Sequence, residues 1–169
     1  MSIGFPQLGG LTMRTIDFPF QAIDTLTFSP RPQPVPASLR PIYRIAIIAL
    51  VLKTNCRGNT ASLFKLQFFN WLLKSSSLQE LIEEMLSHQS VFTLELIHLD
   101  PMVNLALKYA FAENLISVTS NSKYELTDKG IEFANRILGD EQSVMAKERE
   151  FLIRIGQKIS EVTLREDYL

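Results

Sequence analysis

The side chains of this sequence that could act as nucleophiles, general bases or metal ligands are few and far apart. One cysteine, Cys56, and two histidines, His88 and His98, stand among 169 residues. A structural zinc needs about four ligands at fixed spacing, so this set excludes one within a single chain. Cys56 has no histidine near it in sequence, and Arg57 beside it is the neighbour that could lower its pKa by favouring the thiolate. His98 falls on the apolar side of an alternating run, where a histidine is ordinarily a hydrogen-bonded packing residue. Glu80, Glu83 and Glu84 sit within one predicted helix. A metal-dependent hydrolase gathers carboxylates from several elements around a basic partner, so three on one helix suit a solvated face. There is no Gly-rich phosphate loop, no GxSxG and no HExxH. The expectation is a chain without catalytic residues, metal or cofactor, whose work is binding.

The elements that would present a binding surface can be read from composition and periodicity. A chain of this length, 46% hydrophobic, should bury roughly 70% of the surface its unfolded form exposes and needs no disulfide. Its longest apolar run, Ile45 to Leu52, has eight residues, whereas a membrane span needs about 20. The N-terminus lacks a basic segment followed by an apolar one, and the single thiol makes the cytoplasm the default location. Between Asp24 and Glu80 there is no acidic residue, while Arg31, Arg40, Arg44, Lys53, Arg57, Lys65 and Lys74 all fall there. The net charge is −1, so residues 25–79 carry +7 and the remainder −8. A division of that kind suggests one surface that attracts an anion, a nucleic acid or an acidic protein.

Residues 1–38 read as an arm. Residues 1–17 lack periodicity, Ile23 to Phe28 alternate as a short strand, and prolines at 30, 32, 34 and 36 make an extended spacer. Residues 39–90 form a helical, basic segment. Pro41 suits a first helical position, and the run that follows is apolar on almost every face. The Arg57-Gly58-Asn59 break comes next, then a helix capped by Thr60 or Ser62. That helix carries Leu63, Leu66, Phe69 or Asn70, and Leu73 on one stripe and Phe64, Phe68 and Trp71 on the other. Ser77 with Glu80 reads as a capping box for a third helix with Leu78, Leu81, Ile82, Met85 and Leu86 in a stripe.

Residues 91–169 begin with an alternating run, Val91 to Leu99, followed by the Asp100-Pro101 helix start. That helix is expected to turn Val103, Leu107, Ala110 and Phe111 inward and to stop at Asn114. Leu115 to Val118, a Ser-Asn-Ser-Lys turn and Tyr124 to Leu126 make a hairpin. Thr127 caps the next helix, Gly139 ends it, and Asp140 opens a long amphipathic run to Val162.

The string AENLISVTSNSKYELTDKGIEFANRIL resembles the last helix, wing and following helix of winged-helix domains. The resemblance implies a mainly helical α+β fold with a small hairpin, a helical N-terminal half and a C-terminal helix. In DNA-binding members the helix before the wing enters the major groove. Here its exposed face offers Asn104, Lys108 and Glu113, and the wing adds Lys123, so an Arg-rich reading head is missing. A winged-helix DNA-binding transcription regulator is thus the second reading, after a protein-docking module.

The wider pattern is similar to the middle component of ABC-three-component systems, of which Lamassu-type anti-phage systems are an example. The similarity covers residues 39–165 and rests on Arg-Pro-x-Tyr-Arg from Arg40 to Arg44, the Asn70-Trp71 pair, Asp100-Pro101 with Asn104, and the tail from Lys147-Glu148 to Gly156. It implies an accessory, kleisin-like subunit that binds an SMC-like or Rad50-like ATPase and helps hold an effector inactive until foreign DNA is sensed. For such a subunit the partner-binding candidates are Phe64, Phe68, Trp71, Phe151 and Ile155. Arg57, Lys65 and Lys74 are candidates for non-specific contact with double-stranded DNA.

Overall fold

The computed structural model describes Pro36 and residues 40–88, 99–140 and 145–166. The chain divides into two units, Met1–Pro34 and Val35–Leu169, and the described residues lie in the second. The strand expected at 23–28 and residues 91–98 of the one expected at 91–99, with His98, lie outside them, and Leu99 is exposed and not in a strand. The fold is α+β, mainly helical with a small antiparallel sheet. Helix α1 (Pro41–Asn55) is followed by a 3-10 turn (Arg57–Asn59), β1 (Thr60–Ala61), α2 (Leu63–Leu72) and α3 (Ser76–His88). After the undescribed stretch come α4 (Pro101–Ala112), β2 (Ile116–Val118), β3 (Tyr124–Leu126), α5 (Asp128–Gly139), α6 (Ala146–Ile155) and α7 (Glu161–Glu166).

Helix α1 is the axis of the domain. Ile45 through Leu52 are all buried, eight in a row, because α2, α4, α5 and α6 pack around it. The segments expected at 39–90 and 91–169 therefore share one core. Pro41 occupies the first turn, where its missing N–H leaves nothing unsatisfied. The chain leaves α1 through a left-handed pair, Gly58 (φ 66°) and Asn59 (φ 54°), which permits the immediate turn into β1. Thr60 pairs with Glu125 and Ala61 with Tyr124, while Ile116, Ser117 and Val118 pair with Leu126, Glu125 and Tyr124. The sheet order is β1-β3-β2. The hairpin follows the sequence expectation; β1, two residues long, is too short to leave a periodic signal.

Three expectations are corrected by local chemistry. Ser77 does not cap α3: the helix begins at Ser76, and the Ser75 hydroxyl accepts from Leu78 N at 3.5 Å. Within its stripe Ile82 is fully buried, whereas Leu81 is exposed. The run from Asp140 to Val162 is not one helix. Helix α6 ends at Gly156, which has a positive φ of 54°, and α7 starts afresh at Glu161. Thr127 and Ser62 do cap as expected, accepting from Gly130 N and Lys65 N. Among the described residues no helix is long and apolar enough to cross a membrane.

Gly130 marks where α5 meets the hairpin. A Cβ added there would collide with the Leu115 carbonyl and press on the Leu126 side chain at 2.9 Å. Inside a helix, Gly to Ala ordinarily stabilises by about 0.5–1 kcal/mol. Here the sign should reverse: Gly130→Ala should cost about 2 kcal/mol or more, since the obstacle is backbone. Gly139→Ala, with open space around it, should be neutral or stabilising, and urea unfolding of the two variants checks the contrast.

Candidate protein-docking groove

The residues that the sequence places far apart, at 44, 70, 100 and 104, come together around the start of α4. Asp100 is the centre. Its Oδ2 accepts from Arg44 Nη1 at 2.8 Å, from Lys74 Nζ at 2.8 Å and from Asn70 Nδ2 at 3.4 Å. Its Oδ1 accepts from Met102 N at 2.9 Å, which caps α4. Arg44 Nη1 also donates to Asn70 Oδ1 at 2.9 Å. Gln67, buried and unremarked in the sequence, pairs with the Asp100 backbone from both sides. Its Oε1 accepts from Asp100 N at 2.9 Å, and its Nε2 donates to Asp100 O at 3.1 Å and to Asn104 Oδ1 at 3.3 Å. On the other side of Arg44, the Tyr43 hydroxyl donates to Glu148 at 2.6 Å and so ties α1 to α6. A cleft of about 240 Å³ lies over this cluster, lined by Tyr43, Arg44, Asn70, Lys74 and Glu148 among others.

The electrostatics fit a structural hub. Burial alone would raise the Asp100 pKa, but the Lys74 hydrogen bond, the Met102 N–H and Arg44 overcome it and hold the carboxyl at about 2. Burial first, and then the hydrogen bond to Glu148, push the Tyr43 hydroxyl well above its ordinary value.

The far end of α4 is fixed as firmly. Asn114 takes a positive φ of 54°, its carbonyl accepts from Thr127 Oγ1 at 2.6 Å, and the Glu113 carbonyl accepts from Lys129 Nζ at 2.7 Å. Held at both ends, α4 buries Val103, Ala106, Leu107 and Ala110. Phe111, expected inside with them, is 55% exposed: it follows Ala110 by one position, about 100° round the helix. It lies along a groove of about 650 Å³ between α4, the start of α2 and the hairpin, lined by Leu63, Asn104, Leu107, Lys108, Phe111, Val118 and Tyr124. Val118 is 52% and Leu63 38% exposed, and Met102 and Tyr109 are exposed on another face of α4. Lys108 has no hydrogen-bond or ion-pair partner among the described residues. An exposed apolar surface of this kind, rimmed by polar groups, marks an interaction site.

The partner-binding candidates all lie elsewhere. Phe68, Phe151 and Ile155 are buried in the core, Phe64 and Trp71 are half-buried against it, and none lines the groove. Phe68 stacks edge-on to Phe69 at 5.4 Å and lies 6.1 Å from Trp71, so the second apolar face of α2 is closed by its own domain. The basic candidates are likewise dispersed. Lys65 is buried and its Nζ donates to the Asn55 and Ile159 carbonyls at 2.9 and 2.8 Å. Lys74 is bound to Asp100. Arg57 alone is exposed without an ion-pair partner among the described residues. Nor is Cys56 activated by Arg57: it is buried, and burial pushes its thiol up to about 12. The groove residues Leu63, Phe111 and Val118 were invisible as a set because they come from three elements.

Two measurements follow. Asp100 has a depressed folded pKa, so the stability it confers is present above the unfolded value near 4 and drains away as pH falls toward 2. Asp100→Asn should lose about 2–3 kcal/mol at pH 7, by stranding the largely buried Arg44, and should show a flatter loss between pH 4 and 2. Phe111→Ser should change unfolding free energy by less than about 1 kcal/mol, while Phe68→Ala should cost about 3–5; equal losses would mean that Phe111 belongs to the core. No family model, no curated protein and no solved structure matches this chain.

Proposed function

We propose that this chain is a non-catalytic accessory subunit of a bacterial anti-phage defence complex, a cytoplasmic winged-helix-like protein that docks an SMC-like or Rad50-like ATPase and helps couple DNA sensing to an effector. The observation that carries the reading is the groove along α4. A surface with Phe111, Val118 and Leu63 exposed beside a buried Leu107 gains by being covered, since apolar area removed from water contributes roughly 25 cal/mol per Å².

The hub supports the same reading. Tyr43, Arg44, Asn70, Asp100, Asn104 and Glu148, six of the positions on which the resemblance to ABC-three-component middle subunits rests, belong to one pair of hydrogen-bonded clusters joined through Arg44 and Tyr43 on α1. The third strand, β1 on β3, sits where a winged helix would place a strand beside its wing, which supports that part of the proposal. A DNA-reading regulator would need base-contacting and phosphate-contacting side chains on α4. Lys108 is the one Lys or Arg in that helix, and its groove neighbours are mostly apolar, so docking is the better supported use of the face.

Co-expression of the full chain with the coiled-coil ATPase of the same operon should give a complex that co-elutes at fixed stoichiometry in gel filtration. Deleting the chain should abolish protection against phage. A chain that stays apart from that ATPase, or an operon without one, overturns the reading.

A further inference from the structure

We propose that the groove along α4 receives an amphipathic helix of the ATPase partner, with apolar side chains seated between Leu63, Phe111 and Val118 and a carboxylate on Lys108. The inference rests on the docking reading above and adds the chemistry of what is docked. Three observations choose the occupant.

The first is shape. Asn104, Lys108 and Phe111 are spaced i, i+4 and i+7, so the wall they form runs along one face of α4 for about 10 Å, two helical turns. A partner helix laid along it presents its own i, i+4 and i+7 side chains at the same spacing, the usual way an amphipathic helix fills a groove. The floor is Leu107, which is 3% exposed, and the opposite wall comes from Leu63 and the hairpin residues Val118 and Tyr124. An added strand has less to hold: β2, at one edge of the sheet, is three residues long.

The second observation is charge. Among the described residues Lys108 is the single charged residue in the lining, and no acidic side chain accompanies it there. Glu161, which lies against Ser62 at the start of α2, already has both oxygens engaged, by Ser62 N and Ser62 Oγ at 2.7 Å each. An apolar groove with one unpaired ammonium selects a carboxylate, because burying Lys108 under an uncharged segment would desolvate it without compensation. The third observation is symmetry. In a two-fold contact through the groove, each copy would bring its own Lys108 toward the other's, and like charges across an interface disfavour it. A different chain, acidic where this one is basic, has no such conflict.

The test uses the full chain co-expressed with the ATPase, carrying the photoreactive benzoylphenylalanine in place of Phe111. Illumination should cross-link it to a helical segment of the ATPase bearing an Asp or Glu, identified by mass spectrometry. Lys108→Glu should weaken the complex on the order of tenfold while leaving the melting temperature of the free chain unchanged, and reversing the mapped acid to Lys should restore it. Lys108→Arg should bind nearly as the parent does. Should the complex form with undiminished affinity in both Phe111→Asp and Lys108→Glu, or the cross-link fall on a second copy of this chain, the groove assignment is overturned while ATPase docking stands. Absence of any complex with the unaltered chain removes both.

Discussion

A helix that is apolar on every side has no preferred rotation about its own axis, and the fold depends on how α1 escapes that indeterminacy. The hydrophobic effect is non-directional, so burying Ile45 to Leu52 would be nearly as favourable at several rotations and offsets. Two polar clusters decide among them. At the N-terminal end Arg44 binds Asp100 and Asn70. At the C-terminal end, Asn55 Nδ2 donates to the Leu152 and Gly156 carbonyls at 3.0 and 2.7 Å, and the Asn55 carbonyl accepts from Lys65 Nζ. Each cluster is directional, mostly buried and costly to leave unmade. Together they set α1 in rotation and in height, and every helix packed on it inherits that setting.

The same clusters explain why an apolar groove stays open to solvent. Asp100 caps α4 and binds α1 and α2 at once, while Gln67 clamps the backbone of the first turn. With Thr127 and Lys129 holding the other end, α4 cannot roll to bury Phe111 without breaking charge-assisted hydrogen bonds, which are worth about 1.5–3 kcal/mol each. Half-burying one more aromatic side chain offers less than that. The outward placement of Phe111 is therefore a consequence of the hub, and the groove is as rigid as the hub that aims it.

What the sequence could disclose follows from which interactions are local. Caps at Ser62 and Thr127, the proline start of α1, the left-handed stop at Asn114 and the hairpin were legible because each is fixed by residues a few positions apart. Phe111 was misplaced because periodicity gives a face only to within a residue, and Ala110 took the inner position. The Phe64, Phe68 and Trp71 stripe fits either a second surface or a helix covered on both sides, because one chain's periodicity cannot tell the two apart. The hub and the groove were illegible as geometry, since Gln67, Leu63 and Val118 acquire their roles through contacts between elements. Arg44, Asp100 and Asn104 stand out in the sequence as part of a basic run, a helix start and an exposed helix face, but nothing local shows that they meet one another and Asn70 in space.

The charge asymmetry also changes its meaning once the fold is known. Seven basic residues in 25–79 suggest a phosphate-binding face, yet Arg44 and Lys74 converge on one carboxylate and Lys65 is spent on two backbone carbonyls inside the domain. Duplex affinity scales with the number of cations that can displace counterions along the backbone, and these three are committed to intramolecular acceptors. Lys53 and Arg57 have no ion-pair partner among the described residues. Three of the seven basic residues thus serve to orient helices. The cation that does face outward amid apolar side chains, Lys108, comes from the acidic half, and a lone charge in such a setting discriminates between protein partners far better than it binds nucleic acid.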